Sequence, residues 1–232
     1  MQITNDRQDN YFRPQQVLSV GTEERMNSHS NNHARTKKIA QIAFLSALVV
    51  ILQLFFSSIT IGPVNLSFVL VPIVIAGVFV GPVGGAIVGL IAGTTTVIMV
   101  FTTATPFNTM LVSVNPAAMV LICLLKQTAA GFLSGELYKI FSAKKIVAYI
   151  IAGAACPIVN TGVFCIGMFI FFTDGLTELF GADAGGIVYI VFILLAGINF
   201  IVEFILNVIL CPVICKALSS ARFVKTGDRN NY

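Results

Sequence analysis

The chain has 232 residues, 56% of them hydrophobic and only 10% charged, where an ordinary soluble domain runs roughly 45–50% apolar and about 25% charged. Its 14 Lys and Arg against 10 Asp and Glu give a net charge of +4, and ten of these charges lie before Ile39, four after Leu218 and only ten in the 180 residues between. That distribution excludes a soluble enzyme, a disordered protein and a disulfide scaffold, and leaves a membrane domain with polar ends.

Residues 1–38 are rich in Asn, Gln, Ser, Thr and charge and show no apolar period, so they cannot bury enough surface to fold alone. They read as a disordered cytoplasmic tail. No apolar core or small-residue cleavage site precedes the first long hydrophobic run, which argues against a signal peptide.

Six hydrophobic spans follow, because about 20 helical residues cross the hydrocarbon core. They are Ile39 to Phe56, Leu66 to Val80 (ended by Gly81-Pro82), Gly84 to about Thr102, about Ala117 to Phe141, Ile146 to Phe172, and Ile187 to Leu218. The expected fold class is therefore all-α: a polytopic membrane protein with six transmembrane helices. Residues 39–218 form the membrane domain and 219–232 a cytoplasmic C-terminal tail.

Cations orient the chain. Arg35, Lys37 and Lys38 precede the first span; Lys139, Lys144 and Lys145 separate the fourth from the fifth; Lys216, Arg222 and Lys225 flank the end of the sixth. With an even number of spans all fall on one side, and the opposite loops carry only Asp174, Glu178 and Asp183. Both termini are expected in the cytoplasm, with outer loops near residues 57–65, 103–116 and 173–186. The same positions explain the net positive charge without nucleic acid, for which there is no aromatic-interleaved basic face.

Side chains exclude several membrane enzymes. A serine protease of the membrane needs a His there, and His29 and His33 are confined to the tail; an aspartyl protease needs two membrane-depth Asp, and the spans contain none. No catalytic residues, cofactor or metal site are expected. The five cysteines, Cys123, Cys156, Cys165, Cys211 and Cys215, sit in apolar runs without zinc-type spacing and read as small buried hydrophobes. Without a Gly-x-x-x-x-Gly-Lys-Ser/Thr loop the chain cannot itself hydrolyse ATP, so solute movement would draw on an ion gradient or a partner.

Small residues mark helix contacts. Gly81, Gly85, Gly89 and Gly93 recur every four residues and read as packing within the chain, whereas Ala40, Ala43 and Ala47 share one face of the first span and suit either internal packing or another subunit.

Polar groups at membrane depth are costly, about 2.5–3.5 kcal/mol for a Lys or Asp at a helix centre. Lys126 lies in the fourth span, Asn160 in the fifth, and Asn199, Glu203 and Asn207 in the sixth at i, i+4, i+8 spacing, which is one helix face. At 1.5 Å per residue, Asn160 and Asn199 lie about 18 Å, and Lys126 about 14 Å, below the outer ends of their spans. A shared interior cluster follows. Either Lys126 pairs with Glu203 and the asparagines bridge helices, or Lys126 presents its charge to an anionic solute whose hydroxyls and amides the asparagines bind. Asn115, before Pro116, reads as a turn or helix start that could line a pocket mouth, and Asn65, in Gly62-Pro63-Val64-Asn65, as a turn residue and possible lid contact.

These features together resemble a substrate-specificity (S) component of an energy-coupling factor (ECF) transporter, over about residues 36–218. The resemblance is carried by six spans with both ends inside, the Ala43-x-x-x-Ala47 pair after basic residues, the segment Pro72 to Ala86 entering a glycine-rich third span, Leu125-Lys126 through Gly131 and Gly135 to Lys139, Ala155-Cys-Pro157-Ile-Val-Asn160-Thr-Gly162, and Gly197-Ile-Asn199-Phe-Ile-Val-Glu203. It implies a multi-pass subunit of a prokaryotic plasma membrane that captures a vitamin or precursor outside. Delivery would run through a transmembrane coupling subunit, docked on Ala43 and Ala47, and two cytoplasmic ATPases, the S component toppling in the membrane. Lys126, Asn160 and Asn199 would bind substrate, with Asn115 and Asn65 near the entrance. A small carboxylate with hydroxyl and amide groups suits that set, and pantothenate meets the description; folate, riboflavin, cobalamin and pyridoxine are the other candidates. The reading from a different class is a self-sufficient ion-coupled carrier with Glu203 as its protonatable group, against which stands the lack of a visible inverted repeat.

Overall fold

In the computed structural model the described residues are 35–55, 60–61, 64–65, 68–181 and 186–220. The chain divides into two units, Met1–Ala40 and Gln41–Tyr232. Of the first, the described part is 35–40, an exposed helical stretch that opens α1. The expected disordered tail and the residues after Ser220 lie outside the described residues.

Long apolar runs become long helices, even across Pro157 and Pro212. α1 spans Arg35–Phe55, α3 Pro82–Thr102, α5 Pro116–Ile140 and α6 Lys145–Phe171, and with the last span these are five helices long and apolar enough to cross a membrane. The fifth of these is Asn199–Ser220, within α9, Gly197–Ser220; the expected last span adds before it α8 (Gly186–Tyr189) and a π-helical stretch, Ile190–Leu195. Large apolar side chains stand exposed along these helices, among them Phe44, Leu90, Leu121, Ile158 and Ile209. An exposed belt of that kind is what a lipid-facing surface requires. The protein is an all-helical, multi-pass membrane protein, apart from a two-stranded antiparallel hairpin, β1 (Thr60–Ile61) and β2 (Val64–Asn65).

The second span differs from its sequence outline. Helix α2 covers only Leu70–Phe79, ten residues or about 15 Å, half of a hydrocarbon core about 30 Å thick. Nine of its ten residues are buried, so its uninterrupted hydrophobicity serves protein packing rather than lipid contact. Around it Leu45, Val49, Val88, Ala130, Tyr149, Cys156, Cys211 and Cys215 form one apolar core. The loops also contain helix: α4 is Pro106–Val114 and α7 is Thr173–Phe180. Phe107, Met110 and Leu111 of α4 and Leu176 of α7 pack with Met119, Ile122, Met168, Phe172 and Leu195 in a second core.

The glycine ladder sets the spacing of α3 and α5, the most extensive helix pair. A Cβ added at Gly85 would collide with the Gly131 carbonyl, one at Gly89 with the Gln127 carbonyl, and one at Gly93 would sit 2.8 Å from the Cys123 carbonyl. Backbones this close are what small residues permit in a membrane helix pair. Gly81 departs from the ladder: nothing lies near its missing Cβ, and its φ of 108° makes the reversal between α2 and Pro82, a backbone shape that favours glycine.

Candidate functional site

A cavity of about 590 Å³ lies among α1, α3, α4, α5, α6, α7 and the last span. Much of its wall comes from the second core, including Phe107, Leu111, Met119, Ile122, Met168 and Leu195. A largely apolar wall with a few polar groups is the ordinary composition of a small-molecule site.

Lys126, Asn160, Asn199 and Glu203 all line it, so the depths counted from separate span ends do place three helices' polar groups around one space. Each arrives for a local reason. Lys126 of α5 turns toward α6, where its ammonium lies 5.1 Å from the centre of the Phe164 ring, a cation–π contact that replaces part of its lost hydration. Asn160 is one turn beyond Pro157 in α6. Asn199 lies in the first turn of α9, just after the π-helical stretch, whose wider turn closes with Ala196 N–H donating to the Val191 carbonyl at 3.2 Å. Such turns frequently occur at functional sites.

The hydrogen-bond state of these residues separates them. Both amide atoms of Asn199, Oδ1 of Asn160 and Oε1 of Gln127 are buried with no hydrogen-bond partner among the described residues. A buried polar atom left this way costs about 1–3 kcal/mol. Asn207, the third member of the stripe, is instead satisfied: its Nδ2 donates to the Glu203 carbonyl at 2.8 Å and its Oδ1 accepts from Cys211 Sγ at 3.5 Å. Its backbone also abuts Gly153 of α6. The stripe thus divides, with Asn199 and Glu203 at the cavity and Asn207 in helix packing.

Two further candidates fall elsewhere. Asn115 caps α5, its Oδ1 accepting from Ala118 N–H at 3.0 Å, and it is not among the cavity-lining residues; the local chemistry of Asn-Pro at a helix start uses the side chain. Asn65 pairs through its backbone with Thr60 in the hairpin, and its side chain lies outside what is described. Ala40, Ala43 and Ala47 are exposed on α1.

Several cavity residues were not anticipated. Gln53 of α1, Thr96 of α3 and Gln127 of α5 meet at the wall, with Gln127 Nε2 donating to Thr96 Oγ1 at 3.0 Å. Thr161 and Phe164 of α6 line the same space. Gln53 and Gln127 carry the signal that marked the asparagines, an uncharged amide at membrane depth, but neither belongs to a charged cluster or a helical stripe.

Residues 37–215 match the family model described as ECF transporter, substrate-specific component. The chain belongs to that family. Comparison with individual curated proteins yields no match. As an S component, the protein is a multi-pass subunit of the cell membrane that serves transmembrane uptake by binding a substrate for an ECF module.

Proposed function

We propose that this S component captures pantothenate, held in the cavity by Lys126, Asn160, Asn199 and Gln127. The observation that carries the proposal is the coincidence, around one cavity, of a membrane-depth cation with buried amide atoms that have no partner among the described residues. Lys126 supplies a point charge for a carboxylate. The orphaned oxygens of Asn160, Asn199 and Gln127 are acceptors, which hydroxyl and amide N–H groups of pantothenate match, and Asn199 Nδ2 is a donor for its carbonyl. A corrinoid is too bulky for about 590 Å³.

In this reading both termini are cytoplasmic, residues 39–218 form the membrane domain between the tails, and the cavity loads from outside. The exposed Ala40, Ala43 and Ala47 face of α1 docks on a transmembrane coupling subunit that works with two ATPases, and toppling carries the closed cavity inward. Small side chains suit close helix approach in lipid.

Thermal stability of the purified protein, followed against pantothenate, folate, riboflavin, cobalamin and pyridoxine, tests the assignment. Stabilisation by pantothenate above the others supports it; stabilisation by none, or by another vitamin alone, refutes it. Uptake by this protein alone in liposomes under a proton gradient would favour the ion-coupled carrier instead.

A further inference from the structure

Gln53, Thr96 and Gln127 come from three helices far apart in sequence, yet their polar ends converge at the cavity wall. Gln127 is buried, its Nε2 donates to Thr96 Oγ1 at 3.0 Å, and its Oε1 has no partner among the described residues. On the other side of Thr96, the Gln53 amide satisfies every contact when its oxygen accepts from the Thr96 hydroxyl and its Nε2 donates to the Ala92 carbonyl at 3.3 Å. All donors then run one way, from Gln127 on α5 through Thr96 on α3 to Gln53 on α1.

We infer that these three side chains form a directional hydrogen-bond chain that fastens the C-terminal half of α1 to the cavity wall and reports cavity occupancy to it. A ligand O–H or N–H donated to Gln127 Oε1 withdraws electron density from that amide, which makes its N–H groups better donors. Thr96 and Gln53 are polarised in turn, and bonds in series strengthen one another by roughly 10–30% each in condensed-phase estimates. Meanwhile the hydroxyls of Thr94 and Thr95 donate to carbonyls of their own helix, at 2.9 and 3.0 Å; Thr96 Oγ1 also lies 3.1 Å from its own Ala92 carbonyl, and with Gln53 Nε2 on that carbonyl its one proton goes to the Gln53 oxygen, which links the helices. α1 also carries the exposed Ala43 and Ala47. The inference therefore deepens the proposed function and rests on it for the ligand: the helix that would meet the coupling subunit is the helix tied to the substrate cavity.

Hydrogen exchange of the full chain in lipid nanodiscs, read over residues 49–55, tests this with pantothenate as the probe. In the wild type, pantothenate should slow exchange in that segment several-fold. Thr96→Val should abolish the slowing even at saturating pantothenate, and Thr96→Ser should restore it. Slowing that persists in Thr96→Val, or no slowing in a wild type that binds pantothenate, overturns the inference. If the wild type does not bind pantothenate, the substrate assignment fails, and the chain is judged on ligand-free protein. There Gln127→Leu, a change on α5, must speed exchange over 49–55 of α1 several-fold while leaving residues 205–215 of α9 unchanged; exchange indistinguishable from the wild type overturns it.

Discussion

Gly89 of α3 and Gln127 of α5 pack so closely that a Cβ at position 89 would overlap the Gln127 carbonyl. The backbone of a cavity-lining residue is thereby held by a glycine on the neighbouring helix, which makes the ladder part of the site's support. Gly89→Ala should destabilise the protein by about 1–3 kcal/mol, the usual cost of overpacking, and weaken substrate binding through the displaced Lys126-Gln127 segment. Gly162→Ala is the control, since nothing lies near its missing Cβ and alanine is the better helix former. Thermal unfolding and ligand titration of both variants decide; equal effects would contradict this role for the ladder.

Asn199 has two buried amide atoms without a partner among the described residues, a cost that, in the proposed reading, a bound substrate would remove. Asn199→Leu should raise the stability of the ligand-free protein by up to about 1–3 kcal/mol while lowering substrate affinity. Chemical unfolding and titration should move in opposite directions. A loss of stability together with unchanged affinity would make Asn199 a structural residue.

Ala43 and Ala47 are exposed on α1 and absent from the cavity wall. Ala43→Arg and Ala47→Arg should leave substrate affinity within about twofold of the wild type, as exposed substitutions usually do, and abolish co-purification with the coupling subunit. Normal co-purification would remove this face from the docking surface.

Asn115 accepts a hydrogen bond from Ala118 N–H at 3.0 Å and caps α5. Replacing it by Ala should cost about 0.5–2 kcal/mol of stability, and Asn115→Asp should recover most of it. Recovery of the cap without any change in saturation binding would separate helix capping from substrate contact.

Much of this architecture is legible in the sequence because the membrane imposes a length rule: apolar runs near 20 residues must be helices that satisfy their own backbones. The grouping of Lys126, Asn160 and Asn199 around one cavity follows from counting rise per residue from each span end, since charge and amide are too costly to face lipid. Other features were hidden by the same rule. α2 is as apolar as a lipid-exposed span, yet only ten residues are helical and nine of them are buried, a packing role that hydropathy does not encode. α4 and α7 are nine and eight residues long, too short to stand out between the long apolar runs, and the π-helical stretch before Asn199 has no sequence signature beyond its apolar residues. Gln53 looks like an isolated polar residue in its span and Thr96 like one of three adjacent threonines, and only the meeting of α1, α3 and α5 makes them a chain.

The central claim is that Lys126, with its neighbours, turns the cavity into a site for a small carboxylate. Isothermal titration of pantothenate into the wild type and Lys126→Met measures it most directly. The account predicts one-to-one saturable binding by the wild type and a loss of about 30-fold or more in Lys126→Met, since truncating one partner of a buried charge pair costs about 2–5 kcal/mol, with Lys126→Met still folded by thermal unfolding. Equal affinity of the folded variant and the wild type, or no saturable binding by the wild type, would contradict it.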